Sequence, residues 1–314
     1  MRLWVTGASG FVARHLVPAL RADGHELTGL GLLPSAPPWL PAARYRALDV
    51  SDSAAVARAA GEDRPEAAVH LAGQASAAQS FERVEETFAQ NLGSALGLLE
   101  GLRRAGLSPR VLLVSTSEVY GPQQSAQPVT EGAPLNVVSP YGASKLAAEV
   151  VGETYGRVFG MPVVRVRPFS HTGPGQDERF ALSSFALQIA RAERAGGPGV
   201  LHVGNLEVVR DYLDVSDVVD AYRVLLARGE AGEVYNIASG RGHLMRDLLQ
   251  HLISRSTVAL EARTDASRLR AQDLNYMVGD ASRLNALGWA PRRTVQEALD
   301  ALLEWRRQGL RGEA

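Results

Sequence analysis

Tyr141 and Lys145 stand four residues apart in Tyr141-Gly-Ala-Ser-Lys145, within a segment of helical periodicity from Pro140 to Phe159. That spacing on a helix means one face, so phenol and ammonium project together. A lysine beside a phenol lowers its pKa and lets the tyrosine exchange a proton with an alcohol or a ketone. Thr116, in Ser115-Thr116-Ser117-Glu118 at the end of an apolar strand, can hydrogen-bond the same oxygen. Lys145 is also the only lysine among 33 basic residues. A compact ammonium is not replaced by a guanidinium fork, which points to a role that arginine cannot fill; chance survival on a solvated helix face is the alternative.

Redox chemistry at such a carbon needs a hydride carrier, and a second motif offers a place for one. Gly7-Ala-Ser-Gly10-Phe-Val-Ala13 follows a strand from Leu3 to Thr6 and opens a helix from Phe11 to Ala22. Glycines let the backbone turn tightly and approach a pyrophosphate, which then rests on the free amides of the helix start. Gly7, Ser9, Gly10, Phe11 and Val12 are therefore candidate cofactor contacts. The second strand ends in Leu30-Gly31-Leu32-Leu33, with neither the acid that holds a ribose diol nor a base for a 2′-phosphate. Nothing there repels the phosphate, so NADP(H) is favoured and NAD(H) stays open. Asp49 and Val50 can grip the adenine edge, although Asp49, Ser51 or Asp52 can equally cap the next helix. Leu71, Ala72 and Gly73 end a fourth strand in small residues that admit a close cofactor backbone.

The elements around these motifs alternate short apolar runs with longer helical segments, the pattern of βαβ units and a parallel sheet. Strands are expected at Leu3 to Thr6, Glu26 to Leu30, Tyr45 to Ala47, Ala68 to Leu71, Arg110 to Ser115 and Pro162 to Arg167, and helices notably at Phe11 to Ala22, Val84 to Ala105 and Pro140 to Phe159. Arg210 to Leu213 and Val234 to Ile237 are expected to rejoin the main sheet. The fold class is thus α/β, a Rossmann-type doubly wound sheet with a smaller, discontinuous C-terminal substrate domain. Residues 1–167 and 207–238 would form the dinucleotide-binding domain, and 168–206 and 239–314 the second.

Composition narrows the function classes. A net charge of −1 with scattered basic residues leaves no footprint for nucleic acid. There is no cysteine, and the 7 histidines never take ligand-like spacing, so no metal is expected. No apolar run is long enough for a bilayer, and Met1 runs into Leu3-Trp4-Val5 without a signal-peptide pattern, so no membrane partner and a cytoplasmic location are expected.

Together these motifs resemble the extended short-chain dehydrogenase/reductase family, the NAD-dependent epimerases, dehydratases and reductases of nucleotide sugars, over nearly the whole chain. The resemblance implies a catalytic triad at Tyr141, Lys145 and Thr116 and a smaller domain that grips the sugar nucleotide. Arg167-Pro-Phe-Ser-His-Thr-Gly-Pro-Gly-Gln176, Phe180 and Gly204-Asn-Leu-Glu-Val-Val-Arg-Asp211 are similar to members acting on GDP-mannose derivatives. They look closest to those that reduce GDP-4-keto-6-deoxy-D-mannose to GDP-D-rhamnose. In such members the first segment packs on nicotinamide and hexose, which implies Pro168 and Phe169 as cofactor contacts and Ser170 as a substrate contact. Arg210, Arg179 and Asn205 become candidates for the nucleotide, since an arginine fork matches phosphate oxygens. Arg270 and Asp273 follow from a similar nucleotide-holding stretch, Arg268-Leu-Arg270-Ala-Gln-Asp273.

Two departures bear on the subgroup. Ser170 stands where relatives often have asparagine. Thr116 and Glu118 also match a 4,6-dehydratase, whose glutamate removes a C5 proton, though reductases tend to carry that glutamate too. The short chain and Gly-Ala-Ser-Gly-Phe favour the reductase over dehydratases, which prefer Gly-Gln-Asp-Gly and longer inserts. The expected activity is NAD(P)H-dependent reduction of the C4 ketone of a GDP-6-deoxyhexose, with Glu118 beside the substrate. A GDP-mannose 4,6-dehydratase or another 4-epimerase is the alternative. A cofactor-sensing binding protein is a third reading, against which the intact triad residues argue. The helices Val84 to Ala105 and Pro140 to Phe159 suit the four-helix interface of a homodimer, with burial inside the monomer as the alternative.

Overall fold

The computed structural model describes residues 1–122, 127–268 and 274–312. The chain opens with β1 (Arg2–Thr6), α1 (Phe11–Ala22), β2 (Glu26–Gly31), β3 (Tyr45–Ala47), α2 (Ser53–Asp63) and β4 (Ala67–His70). It continues through α3 (Ala77–Glu82), α4 (Val84–Phe88), α5 (Ser94–Arg104), β5 (Arg110–Val114), α6 (Pro140–Phe159) and β6 (Val163–Pro168). Then come β7 (Ser170–Thr172), α7 (Ala181–Ala195), β8 (Gly199–Val203), β9 (Val209–Asp214), α8 (Val215–Arg228) and β10 (Val234–Ile237). The last elements are β11 (Gly242–Leu244), α9 (Met245–Ser254), β12 (Leu260–Thr264), β13 (Tyr276–Met277), α10 (Ser282–Asn285) and α11 (Val295–Gly312).

Seven strands form one parallel sheet in the order β10-β6-β5-β4-β1-β2-β3. Alternation along β1 explains why both faces are covered: Leu3 and Val5 join the core under α1 and α8, while Trp4 joins the core under α2 and α5. The sheet is the doubly wound α/β class expected from the sequence. Helix α6, which carries Tyr141 and Lys145, has strong ends. Ser139 Oγ accepts from Gly142 N at 3.0 Å, Pro140 occupies the first position, and Gly160 stops the helix with φ 69°.

Two expectations are corrected. Arg210 to Leu213 is a strand, β9, but it lies in a second sheet, pairing with β7, β11 and β13. Of the two segments expected to rejoin the main sheet, only β10 does so, pairing directly with β6. Val84 to Ala105 is not one helix, because a π turn over Ala89–Gly93 separates α4 from α5. The wider turn directs Asn91 inward, where its Nδ2 donates to Ser144 Oγ at 2.8 Å. A third core gathers α7, α9 and α11 over β8. No helix among the described residues is long and apolar enough to cross a membrane.

Candidate active site

The carboxyl ends of β1, β4 and β5 meet the start of α1 and the first turns of α6, where a ligand binds an open α/β sheet. After β1, Gly7 holds φ 63°, and a Cβ there would lie 2.9 Å from Ala72 N. Gly10 caps α1 without any side-chain bond, leaving the first-turn amides available to an anion. Gly73 at φ 142° is equally constrained: a Cβ would meet Asn91 Oδ1 at 2.3 Å and stand 3.7 Å from Lys145 Nζ. Among the described residues Asn91 Oδ1, itself buried, has no hydrogen-bond partner. This bare cradle, with an orphaned acceptor and an ammonium on its wall, fits a nicotinamide dinucleotide. Ser9, Phe11 and Val12 are half-buried at its mouth, and Phe11 stacks on His171 with ring centroids 6.0 Å apart.

Other candidates for the cofactor are placed less simply. Asp49 holds Ser51 N at 2.9 Å, while Asp52 caps α2, so the capping alternative falls to Asp52 and leaves Asp49 exposed. Val50 is buried against α5. Leu71 N and Ala72 N both donate to Thr6 Oγ1, which fixes the end of β4 beside the glycine turn. Pro168 closes β6 and is buried. The Phe169 ring is sealed against Tyr120, with centroids 6.3 Å apart, and a Cβ on Gly279 would touch it at 2.5 Å. Contact from Phe169 to a cofactor therefore falls to its backbone.

Tyr141, Lys145 and Thr116 come together as the spacing predicts. All three are buried, and the Thr116 hydroxyl lies near enough to the Tyr141 phenol to favour its ionisation. Their electrostatics differ from the expectation. Burial, then the Glu118 carboxylate, push the phenol pKa well above its ordinary value, and the Thr116 hydroxyl works in the opposite direction. The Lys145 ammonium donates to Val114 O at 2.9 Å. Burial draws the Lys145 pKa down to about 8, and the Glu149 carboxylate one helical turn away resists that fall.

Behind Lys145 lies a buried network that the motifs did not reveal. Glu149, 1% exposed, takes Arg167 at 2.6 Å and 2.9 Å, and Arg167 is 4% exposed. Arg167 also donates to Tyr120 Oη, which donates to Asn236 Oδ1 at 2.6 Å. Burial works against the Arg167 charge, but Glu149 overrides it and holds the guanidinium firmly protonated.

Beside the triad opens a cleft of about 50 Å³ whose walls include Ser117, Glu118, Ser139, Ser170, Arg210 and Met277. Ser139 donates to Glu118 Oε2 at 3.0 Å, so the cap of α6 also fixes this carboxylate. Three of the substrate candidates, Glu118, Ser170 and Arg210, thus share one cleft. Arg179 is exposed outside that lining, held by Asp177 and donating to Gln79 Oε1 at 2.9 Å. Asn205 accepts from Glu207 N at 3.0 Å in a loop turn. Arg270 and Asp273 lie outside the described residues. The sequence reading missed Asn91 and Ser144, which lie 53 residues apart and meet only in the folded chain.

Known proteins resemble this arrangement along its length. The chain is 37% identical to the GDP-6-deoxy-D-mannose reductase of Pseudomonas aeruginosa, over 97% of each. It is 30% identical to the UDP-glucose 4-epimerase of Mycolicibacterium smegmatis, over 97% of this chain and 98% of that one. Among solved structures, RMD from Pseudomonas aeruginosa complexed with NADPH matches with TM-score 0.85 and 36% identity, covering 98% of this chain and 99% of the other. The UDP-glucose 4-epimerase of Thermus thermophilus in complex with NAD matches with TM-score 0.87 and 31% identity over the same shares. Residues 3–238 match the family model as well, and with both glycine turn and buried triad in place the chain belongs to the NAD dependent epimerase/dehydratase family.

Proposed function

We propose that this protein reduces the C4 ketone of GDP-4-keto-6-deoxy-D-mannose to a GDP-6-deoxyhexose, GDP-D-rhamnose, with NADPH favoured and NADH usable. The observation that carries the reading is the full-length likeness to the GDP-6-deoxy-D-mannose reductase of Pseudomonas aeruginosa. The likeness to RMD in complex with NADPH supports the cofactor. Gly7, Ser9, Gly10, Phe11 and Val12 would hold the pyrophosphate, with Leu71, Ala72 and Gly73 beside it and Lys145 near the nicotinamide side. Bound there, the reduced nicotinamide supplies a hydride to the sugar carbon.

Tyr141 does the complementary work. Its raised pKa keeps the phenol proton on at neutral pH, and that proton goes to the sugar oxygen as the carbonyl becomes an alcohol. Thr116 orients the same oxygen through its hydroxyl, and Lys145 stabilises the phenolate left behind. Arg210 takes the nucleotide diphosphate, and Ser170 with Glu118 lines the sugar. In this reading residues 1–167 and 207–238 form the cofactor unit, with β9 lent to the second sheet, and 168–206 with 239–314 form the sugar-nucleotide unit. A homodimer in the cytoplasm completes the proposal. Val84, Leu96, Val150 and Val158 are exposed on the two helical segments expected to pair across a dimer.

Reduction should fall as pH rises through about 8, because the ammonium form of Lys145 is the one that stabilises the phenolate. The stability effect has a definite sign as well. The folded chain binds this proton more weakly than the unfolded chain, so burial of Lys145 costs stability below about pH 8, and the cost fades toward 10.5. The pH profile of kcat/KM checks the first statement; a rate that stays level to pH 10 counts against it. The function itself is tested by supplying GDP-4-keto-6-deoxymannose and following absorbance of the reduced cofactor, with one equivalent oxidised per sugar as the expected result.

A further inference from the structure

The end of β2, where a cofactor-selecting side chain would stand, is sterically closed. A Cβ at Gly31 would lie 2.8 Å from Tyr45 Oη, which donates to Leu33 O at 2.9 Å. An aspartate or arginine there would have to displace Tyr45, so any discrimination at the adenosine ribose has to come from another element.

The loop after β2 shows which one. Trp39 donates its indole N–H to Ala8 O at 2.9 Å, inside the glycine turn, and thereby lies beside the place where the adenosine ribose and its phosphate sit in such folds. The Arg14 guanidinium carbon stands 5.5 Å from the Trp39 ring centroid and 5.8 Å from that of Trp305 on α11. Gly175 permits this approach, since a Cβ there would be 3.0 Å from Arg14 Cδ. Contact with aromatic faces fixes a guanidinium while leaving its in-plane N–H donors for an anion. Arg14 is exposed, and among the described residues its guanidinium has no hydrogen-bond or ion-pair partner. Other arginines of this edge are engaged: Arg44 with Glu26, and Arg46 with Glu62 and Asp63.

We infer that Arg14, held between Trp39 and Trp305, receives the 2′-phosphate of the dinucleotide and sets the preference for NADPH, an inference that rests on the cofactor reading above and deepens it. A guanidinium offers paired donors to phosphate oxygens, and a ribose without the phosphate gains nothing from it.

The test uses 2′-phospho-ADP-ribose and ADP-ribose, titrated into the full chain by calorimetry, so that neither sugar substrate nor turnover enters. Wild-type protein should bind the phosphorylated nucleotide at least about tenfold more tightly. Arg14→Gln should weaken that nucleotide about ten- to hundredfold while ADP-ribose stays within about threefold. Arg14→Lys should fall between, because it keeps the charge and loses the fork. Equal losses for both nucleotides would show that Arg14 only ties α1 to α11, and unchanged affinity for both would show no contact; either overturns the inference. Wild-type protein that binds both equally overturns it too, whatever sugar is reduced, whereas binding of neither removes the cofactor reading along with it.

Discussion

Tyr141→Phe should lower turnover by about 100-fold or more while nucleotide affinity changes little. The substitution removes one hydroxyl and almost no volume, and it leaves α6 and its Ser139 cap intact. What disappears is the proton that burial and Glu118 keep on the phenol. Lys145→Arg should also be damaging although it keeps the charge. The ammonium sits 2.9 Å from Val114 O, close to the Gly73 turn, and a planar fork does not reproduce that point contact. Steady-state rates beside cofactor titrations separate chemistry from binding. An arginine variant with near-normal turnover would show that the single lysine has no special role.

The second large effect is on stability. Arg167→Met strands the Glu149 carboxylate in the interior without its partner, and loss of one member of such a pair costs about 3–5 kcal/mol. That is a substantial share of the roughly 5–15 kcal/mol by which folded proteins are stable. Tyr120 loses a hydrogen bond in the same step. The double variant Glu149→Gln, Arg167→Met should recover part of the loss, because no unpaired charge is left buried. Denaturant midpoints of the single and double variants measure this. A single variant as stable as wild type would mean that Glu149 finds water or another donor when Arg167 is gone.

Much of this site was legible in the sequence because its signals are local. The glycine turn, the spacing of Tyr141 and Lys145, and the Ser139-Pro140 start of α6 all act within a few residues, and α1 and α6 have the bounds their periodicity predicts. Signals carried by tertiary contact were not legible. Arg210 to Leu213 reads as a strand, but nothing local says which sheet it joins. The Glu149–Arg167 pair spans two elements, and nothing near either residue announces the other. Asn91 lies in an amphipathic run whose π turn leaves no trace in helical periodicity. The rise in the phenol pKa was not legible for a similar reason: the depth of burial and the approach of Glu118 belong to the folded chain alone. Arg14 was invisible as a site residue until Trp39 and Trp305 were seen on either side of it.

Reductase and dehydratase share Tyr141, Lys145 and Thr116, so the decisive quantity is the balance of cofactor against sugar. A dehydratase returns the hydride it removes, needs no added reductant, and depends on a base at C5; a reductase starts from the ketone and consumes its cofactor. The direct measurement incubates the protein with GDP-mannose alone and with GDP-4-keto-6-deoxymannose plus NADPH, and determines sugar products and oxidised cofactor together. GDP-mannose should be inert, each keto sugar should oxidise one NADPH, and Glu118→Gln should slow this only modestly. Formation of the keto sugar from GDP-mannose without reductant, abolished by Glu118→Gln, would contradict the reductase reading.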